Sequence, residues 1–148
     1  MTVILSGKEI AGVLEEKFPG SIIESSENDV LVEGKSLLKI ASFLKTTPDL
    51  AFDYPASITS IDYWDYFEVV YRLTSLEHNH ILVLKTRCYE RENPVLPSMV
   101  SLWRGADLQE REIYDLMGIK FEGHPDLKRI FLWEGFKGHP LRKDYLEW

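Results

Sequence analysis

The chain has 148 residues, of which 45% are hydrophobic, so one domain with a core large enough to fold unaided is expected. Its net charge of −7 disfavours a general nucleic-acid-binding protein, and its single cysteine excludes an internal disulfide or a thiolate metal cluster built by this chain alone. Because no apolar run approaches the ~18 residues of a membrane span and no signal peptide opens the chain, we expect a cytoplasmic location.

The first fifty residues predict the order helix, strand, strand, helix. Ser6 suits the cap of a first helix, whose apolar spacing continues to Phe18 and stops at Pro19-Gly20. Residues 21–27 and 29–33 predict two strands joined by a tight turn. A second helix opens at residue 35 or 36 and ends at Thr47-Pro48.

Three β-rich stretches follow, at residues 57–64, 67–73 and 80–88. The short polar connection at 75–79 predicts that the last two form an antiparallel hairpin. Cys88 lies in the third stretch, where a small core residue is expected. The predicted fold class is α+β, with two helices on a mixed, largely antiparallel sheet of four or five strands, followed by a helix and an irregular C-terminal segment.

After this sheet the pattern changes. Residues 90–97 contain two prolines and predict an extended loop, and residues 98–104 predict a short helix. A longer helix is predicted at 108–117. We therefore divide the chain into a sheet domain at 1–89 and a signature helix with an extended docking segment at 90–148, within one structural unit.

The helix at 108–117 carries unusual polar residues. Asp107 suits the N-cap with Glu110 in the capping-box position, and Gly118 suits the left-handed residue that ends a helix. Glu110 shares the apolar stripe of Ile113 and Met117, so its carboxylate must be paired, or that face must dock on something polar.

The remaining charges on this helix have a simpler interpretation. Arg111 has Asp107 four residues before it and Asp115 four after it, which is typical of ion pairs on a solvated helix face. Residues 104–145 hold eight acidic and eight basic side chains. That mixture suits either a salt-bridged face or a protein–protein surface with complementary pairs.

Several chemical alternatives stay open at this point. His124 and His139, with Asp126 or Glu122, could hold a metal, although local hydrogen bonding is the simpler role for histidines in such turns. Glu110 with Glu112 or Asp115 could be an acid–base pair. The four tryptophans could fill the core or dock on another protein; they are Trp64, Trp103, Trp133 and Trp148.

Three segments of the C-terminal third carry a resemblance to a known family. They are Glu110-Arg-Glu-Ile-Tyr-Asp115-Leu-Met-Gly118, His124-Pro-Asp-Leu-Lys-Arg129-Ile-Phe and Pro140-Leu-Arg-Lys-Asp-Tyr145. This pattern resembles the signature of the 30-kilodalton (C or J) subunit of respiratory complex I. The similarity covers about residues 90–145, and the N-terminal half fits the family only by its order of elements.

The resemblance implies a peripheral-arm subunit of a proton-translocating NADH:quinone oxidoreductase, on the cytoplasmic side of the membrane. Such a subunit holds no flavin, iron–sulfur cluster, metal or quinone and has no catalytic residue. It packs on the large 49-kilodalton-type subunit near the quinone module and neighbouring iron–sulfur subunits. The positions that carry the signature are implied to be interfacial: Glu110, Arg111, Glu112, Asp115, His124, Arg129, Arg142, Lys143 and Asp144.

An alternative assembly uses the same domain. The chain ends three residues after Tyr145, where many family members continue, and its N-terminus is compact. Both features would suit the equivalent subunit of an energy-converting nickel–iron hydrogenase or a formate hydrogenlyase. The sequence alone identifies neither the electron donor, the quinone nor the pumped ion.

Overall fold

The computed structural model describes residues 2–146, which form an α+β fold with three α-helices and eight strands. The helices are α1 (Gly7–Lys17), α2 (Leu37–Thr46) and α3 (Ala106–Met117). The strands are β1 (Val3–Ile4), β2 (Ile22–Ser25), β3 (Val30–Val32), β4 (Tyr54–Asp62), β5 (Phe67–Ser75), β6 (His80–Cys88), β7 (Val95–Pro97) and β8 (Lys120–Glu122).

Six of the strands make one mixed sheet; five of them follow the order β2-β3-β6-β5-β4, and β1 is paired with β6 beside this row. The predicted β5–β6 hairpin is confirmed, and β4 and β2 add antiparallel to β5 and β3. The sheet has more strands than the four or five predicted because β1 also pairs with β6, in parallel, at one end of the edge that β3 occupies. A two-residue strand shows no periodicity from which it could be predicted.

The hydrophobic core is built from the sheet and from the buried faces of all three helices. The apolar spacing of α2 predicts a buried face of five residues: Leu37, Leu38, Ile40, Ala41 and Leu44. Four of them are buried as predicted, but the prediction is wrong for Leu38, which is 39% exposed. Strand β3 is buried at all three of its residues, and β5 and β6 are largely buried, as expected for strands with neighbours on both sides. Ser6 precedes α1 as predicted, but its hydroxyl bonds Glu27 Oε2 at 3.3 Å and does not cap the helix.

The segment between the sheet and α3 departs from prediction. Within the expected loop at 90–97, β7 pairs in parallel with β8. The helix predicted at 98–104 is wrong: a turn occupies this stretch, in which the Met99 carbonyl accepts from the N–H groups of Leu102 and Trp103. The Met99 N–H is itself bound to the Glu110 carboxylate, which fixes the chain in this turn.

Within residues 2–146, no helix has both the length and the apolar composition needed to cross a bilayer.

Candidate functional site

Helix α3 carries four of the nine signature residues, Glu110, Arg111, Glu112 and Asp115. It ends as predicted at Gly118, whose φ of 78° is left-handed. Its start differs from prediction: the helix begins at Ala106 after Gly105, with no side-chain cap, so Asp107 lies inside the first turn. The capping box is therefore wrong, because the Glu110 carboxylate points to the preceding turn and not back to Asp107.

Glu110 is a fully buried carboxylate, with 0% of its surface exposed. Its two oxygens accept from Ser98 Oγ at 2.6 Å and from the Met99 N–H at 2.8 Å. Burial raises the pKa of Glu110, and these two donors oppose the rise. The prediction that a carboxylate on the apolar stripe must be paired is confirmed, and the bonds join α3 to the turn before it.

Asp115 lies on another face of α3 and is also fully buried. Its Oδ2 accepts from three consecutive N–H groups, those of residues 130, 131 and 132, at 3.1, 2.8 and 3.1 Å. Its Oδ1 accepts from Arg129 Nη1 at 2.8 Å. Burial by itself raises the pKa of Asp115, but the N–H groups and Arg129 together lower it below its usual range.

Arg129 connects this carboxylate to the rest of the C-terminal segment. Its second amino group donates to the carbonyls of Phe136 at 3.1 Å and Gly138 at 2.8 Å. His139 Nδ1 lies 2.9 Å from the Asp115 carbonyl, and a Cβ on Gly118 would come within 2.7 Å of the His139 ring. One acid on α3 thus organises a long stretch of the C-terminal segment.

Arg111 does not make the ion pairs predicted for it. Its guanidinium donates to the carbonyls of Lys128 and Arg129, both at 3.2 Å. The nearby Asp115 is already occupied by Arg129 and backbone N–H groups, so Arg111 serves instead as a second tie between α3 and the C-terminal segment.

The two remaining signature residues in this part of the chain, His124 and Glu112, lie in different surroundings. His124 has a buried side chain, with Nε2 at 2.9 Å from Asp107 Oδ1 and Nδ1 accepting from the Asp126 N–H. Glu112 is exposed, and no salt bridge to it occurs among the residues described. Glu110, Glu112 and Asp115 therefore face three different surroundings, and because both buried carboxylates are bound by other partners, the geometry does not support an acid–base pair.

The structure also tests the metal alternatives by geometry. Within residues 2–146, no three His, Cys, Asp or Glu side chains converge on a site of metal size. His124 turns to Asp107, whereas His139 packs against α3. Cys88 is buried beside β7, and burial raises the pKa of its thiol to about 11.

A second polar cluster, which the sequence did not reveal, lies at the end of the sheet. Arg91 makes a bidentate pair with the buried Asp62 at 2.7 and 2.9 Å and reaches Asp144 at 3.1 Å. Arg142 holds Asp144 at 2.8 and 2.9 Å, and the Lys143 N–H donates to Asp62 at 2.9 Å. The three signature residues at 142–144 are brought together here, against partners from β4 and the 90–97 segment.

The arginines of this cluster lower the pKa values of its two carboxyl groups. Arg91 holds the pKa of Asp62 well below its usual range, and Arg142 lowers the pKa of Asp144 to about 2. Asp62 and Arg91 are 29 residues apart, so no local spacing signals their pairing. The cluster fastens the far end of the C-terminal segment to the sheet.

The segment held by these two clusters exposes large apolar side chains. Phe131 is 63% and Trp133 70% exposed, although the backbone at 130–132 is bound to Asp115. Leu141 and Leu146 are similarly exposed. Trp103 is buried and donates to the Phe52 carbonyl, so it belongs to the core, and Trp148 lies outside the described residues.

Comparison with known proteins places this arrangement in a family. The family model described as respiratory-chain NADH dehydrogenase, 30 Kd subunit, matches residues 30–147. The chain belongs to this family. The match confirms the resemblance seen in the signature and extends it over most of the sheet.

Individual relatives of this 30-kilodalton family are similar over long stretches. The C subunit of NADH-quinone oxidoreductase from Roseiflexus castenholzii is 38% identical over 95% of this chain and 84% of its own length. A second form of that subunit, C 2, from Rhizobium meliloti is 42% identical over 77% of this chain and 63% of its own. A Candida albicans protein named NADH dehydrogenase [ubiquinone] iron-sulfur protein 3, mitochondrial, is 43% identical over 80% of this chain and 43% of its own length.

Solved structures agree on the fold. Nqo5, described as a trypsin-resistant fragment (1-134), aligns with a TM-score of 0.64 and 30% identity over 81% of this chain and 97% of that one. A chain of the archaeal membrane-bound sulfane sulfur reductase aligns with a TM-score of 0.76 over 94% of this chain and 85% of that one, but at 22% identity. The second likeness concerns the fold alone.

Proposed function

We propose that this chain is a non-catalytic peripheral-arm subunit of a proton-translocating NADH:quinone oxidoreductase. It holds no flavin, iron–sulfur cluster or quinone of its own, and packs on the large 49-kilodalton-type subunit near the quinone module. It reaches the cytoplasmic side of the membrane only through that complex. Membership of the 30-kilodalton family and the names of its relatives support the assembly; the docking role rests on the C-terminal segment.

The observation that carries the docking role is the state of residues 130–133. The backbone at 130–132 is bound by a buried carboxylate, while Phe131 and Trp133 extend into solvent. Exposed aromatic side chains on a backbone that is already ordered lose little conformational freedom on binding, which favours a tight interface. A chain that functioned alone would gain nothing from holding such side chains in water.

The hydrogenase alternative has less support than the dehydrogenase. Relatives at 37–42% identity over 77–95% of this chain are named as C subunits of NADH-quinone oxidoreductase. The likeness to the archaeal sulfane sulfur reductase, at 22% identity, extends only to the fold. We therefore keep the quinone-linked enzyme as the proposal.

Affinity purification of the assembled complex tests this proposal. The chain is tagged, extracted with its partners under mild detergent, and the bound large subunit is quantified. The double change Phe131→Ser with Trp133→Ser should reduce the recovered large subunit at least tenfold, because each exposed ring is a candidate hot spot worth ~1–2 kcal/mol. Leu76→Ser, at a hairpin turn and 69% exposed, is the matched control and should change nothing.

Two results would contradict the proposal. The first is undiminished recovery of the large subunit by the double variant. The second concerns the purified single chain, which should be colourless and should not oxidise NADH. A tightly bound flavin or cluster, or turnover by the chain alone, would show that it is more than a docking subunit.

A further inference from the structure

A second exposed aromatic surface lies at the loop between β4 and β5, beside the point where residues 142–144 are bound to the sheet. We define the aromatic patch as Tyr63, Trp64, Tyr66 and Tyr89. Tyr66 contacts Tyr63 and Tyr89, with ring centroids 5.3 and 5.5 Å apart. Trp64 is 53% and Tyr89 61% exposed. Contiguous exposed Tyr and Trp side chains are typical of protein-binding surfaces.

Trp64 is held in a backbone conformation that its side chain disfavours. Its φ is 70°, in the left-handed region that glycine and asparagine adopt more readily than bulky residues. Its N–H donates to Asp62 at 2.8 Å and its carbonyl accepts from Arg91 at 2.9 Å, so a buried ion pair maintains the conformation. About half of Trp64 stays exposed, so this disfavoured backbone conformation is not accompanied by deep burial of the side chain in the core.

The charges around the patch indicate what it binds. Asp65, Glu90 and Glu92 adjoin the patch in the chain and are exposed. Arg87 and Arg91 contact the rings of Tyr66 and Trp64 at 4.2 and 5.4 Å, but both are already paired with carboxylates. Lys143, joined to this region by its backbone N–H on Asp62, is an exposed cation, and the exposed carboxylates outnumber it.

Aromatic faces and free carboxylates attract the same kind of ligand. A lysine or arginine side chain can lie over an exposed ring while pairing with a neighbouring acid. Anionic lipid headgroups and nucleic acid would instead meet an excess of negative charge. We propose that the aromatic patch is a second docking surface, which binds a Lys- or Arg-rich segment of another subunit; this partner assignment rests on the chain being a subunit of a complex.

Photo-crosslinking within the assembled complex tests the proposal. A photoreactive phenylalanine replaces Trp64, and separately Tyr54, which lies at the opposite end of β4 and is similarly exposed at 49%. After irradiation, adducts are identified by mass spectrometry. Position 64 should give an adduct with a segment of another subunit that is rich in Lys and Arg. The yield of this adduct should be at least several-fold higher than the yield of any adduct from position 54. No adduct above the control, a lipid adduct or an acidic segment would overturn the proposal.

Trp64→Gly provides a second readout that a purely structural tryptophan could not reproduce. Glycine adopts the left-handed conformation without strain, so the melting temperature of the variant chain should be unchanged or higher. The salt concentration that releases the chain from the complex should fall, because a contact has been lost. A lower melting temperature with unchanged release would assign Trp64 to the fold and contradict the docking role.

The two proposals fail in different ways. Recovery of the chain with the dehydrogenase subunits but without a basic adduct at position 64 would overturn only the aromatic-patch proposal. An adduct to a basic segment of an unrelated protein, with no dehydrogenase subunits recovered, would overturn the assembly and leave the chemistry of the patch standing.

Discussion

Replacing Asp115 by asparagine should loosen the C-terminal segment more than any other conservative change. The carboxylate accepts three backbone N–H groups and one guanidinium in a site with no solvent exposure. Asparagine keeps one acceptor oxygen and turns an NH₂ donor toward groups that are themselves donors. Breaking a buried charge pair of this kind costs about 3–5 kcal/mol, although detachment of the segment limits how much of this appears in global unfolding.

Native-state hydrogen exchange measures this effect where it occurs. A loss of about 3 kcal/mol would speed exchange of the N–H groups at residues 130–132 by on the order of 100-fold, since ~1.4 kcal/mol corresponds to a factor of ten. Amides in the central strands β5 and β6 should keep most of their protection. Glu112→Gln is the matched control, because Glu112 is exposed on the same helix and unpaired within residues 2–146.

A small effect would refute the reasoning. If Asp115→Asn changed exchange at 130–132 by less than about fivefold, near 1 kcal/mol, the carboxylate would not be what holds the segment. The same conclusion would follow if Glu112→Gln had an equal effect, because charge loss alone would then explain both results.

Three other sites give further expected outcomes. Gly118→Ala should lower the free energy of unfolding by more than Gly123→Ala. Both positions are left-handed, which costs a residue with a Cβ about 1–2 kcal/mol, but only a Cβ at 118 would also meet the His139 ring. Urea unfolding of both variants measures the difference. The pKa of Asp62 is lowered in the folded protein, so its contribution to stability is complete above its unfolded pKa of about 4 and is lost as the pH falls through the folded value. The Asp62→Asn variant should therefore be less stable than the original protein at pH 7 and should lose less stability on acidification. Urea unfolding at a series of pH values measures both effects. Glu110 has the opposite sign: its raised pKa makes stability fall as the pH rises from about 4, so Glu110→Gln should flatten that part of the pH profile.

Much of the fold could be predicted because its signals are local. Helical spacing between Ser6 and Phe18, the polar connection at 75–79 and the terminating Gly118 each act within a few residues. The buried, paired state of Glu110 was predictable for the same reason, since its position on an apolar stripe is set by helix geometry.

The rest depends on contacts between distant residues. Asp107 is a residue type that favours the N-cap position, yet the helix already begins at Ala106. Arg111 has acids at helical spacing, but carbonyls 17 and 18 residues away bind it instead. The pairing of Asp62 with Arg91 depends on how the sheet meets the C-terminal segment, which no pattern in either stretch encodes.

Lysine cross-linking of the assembled enzyme tests the central claim most directly. Lys128 and Lys137 are exposed on the C-terminal segment, whereas Lys8 and Lys39 are exposed on α1 and α2. If residues 119–146 form the docking surface, cross-links from Lys128 and Lys137 should lead to the large subunit and exceed those from the helices. Cross-links to the large subunit only from Lys8 and Lys39, with Lys128 and Lys137 still reactive toward a small acylating reagent, would contradict the account.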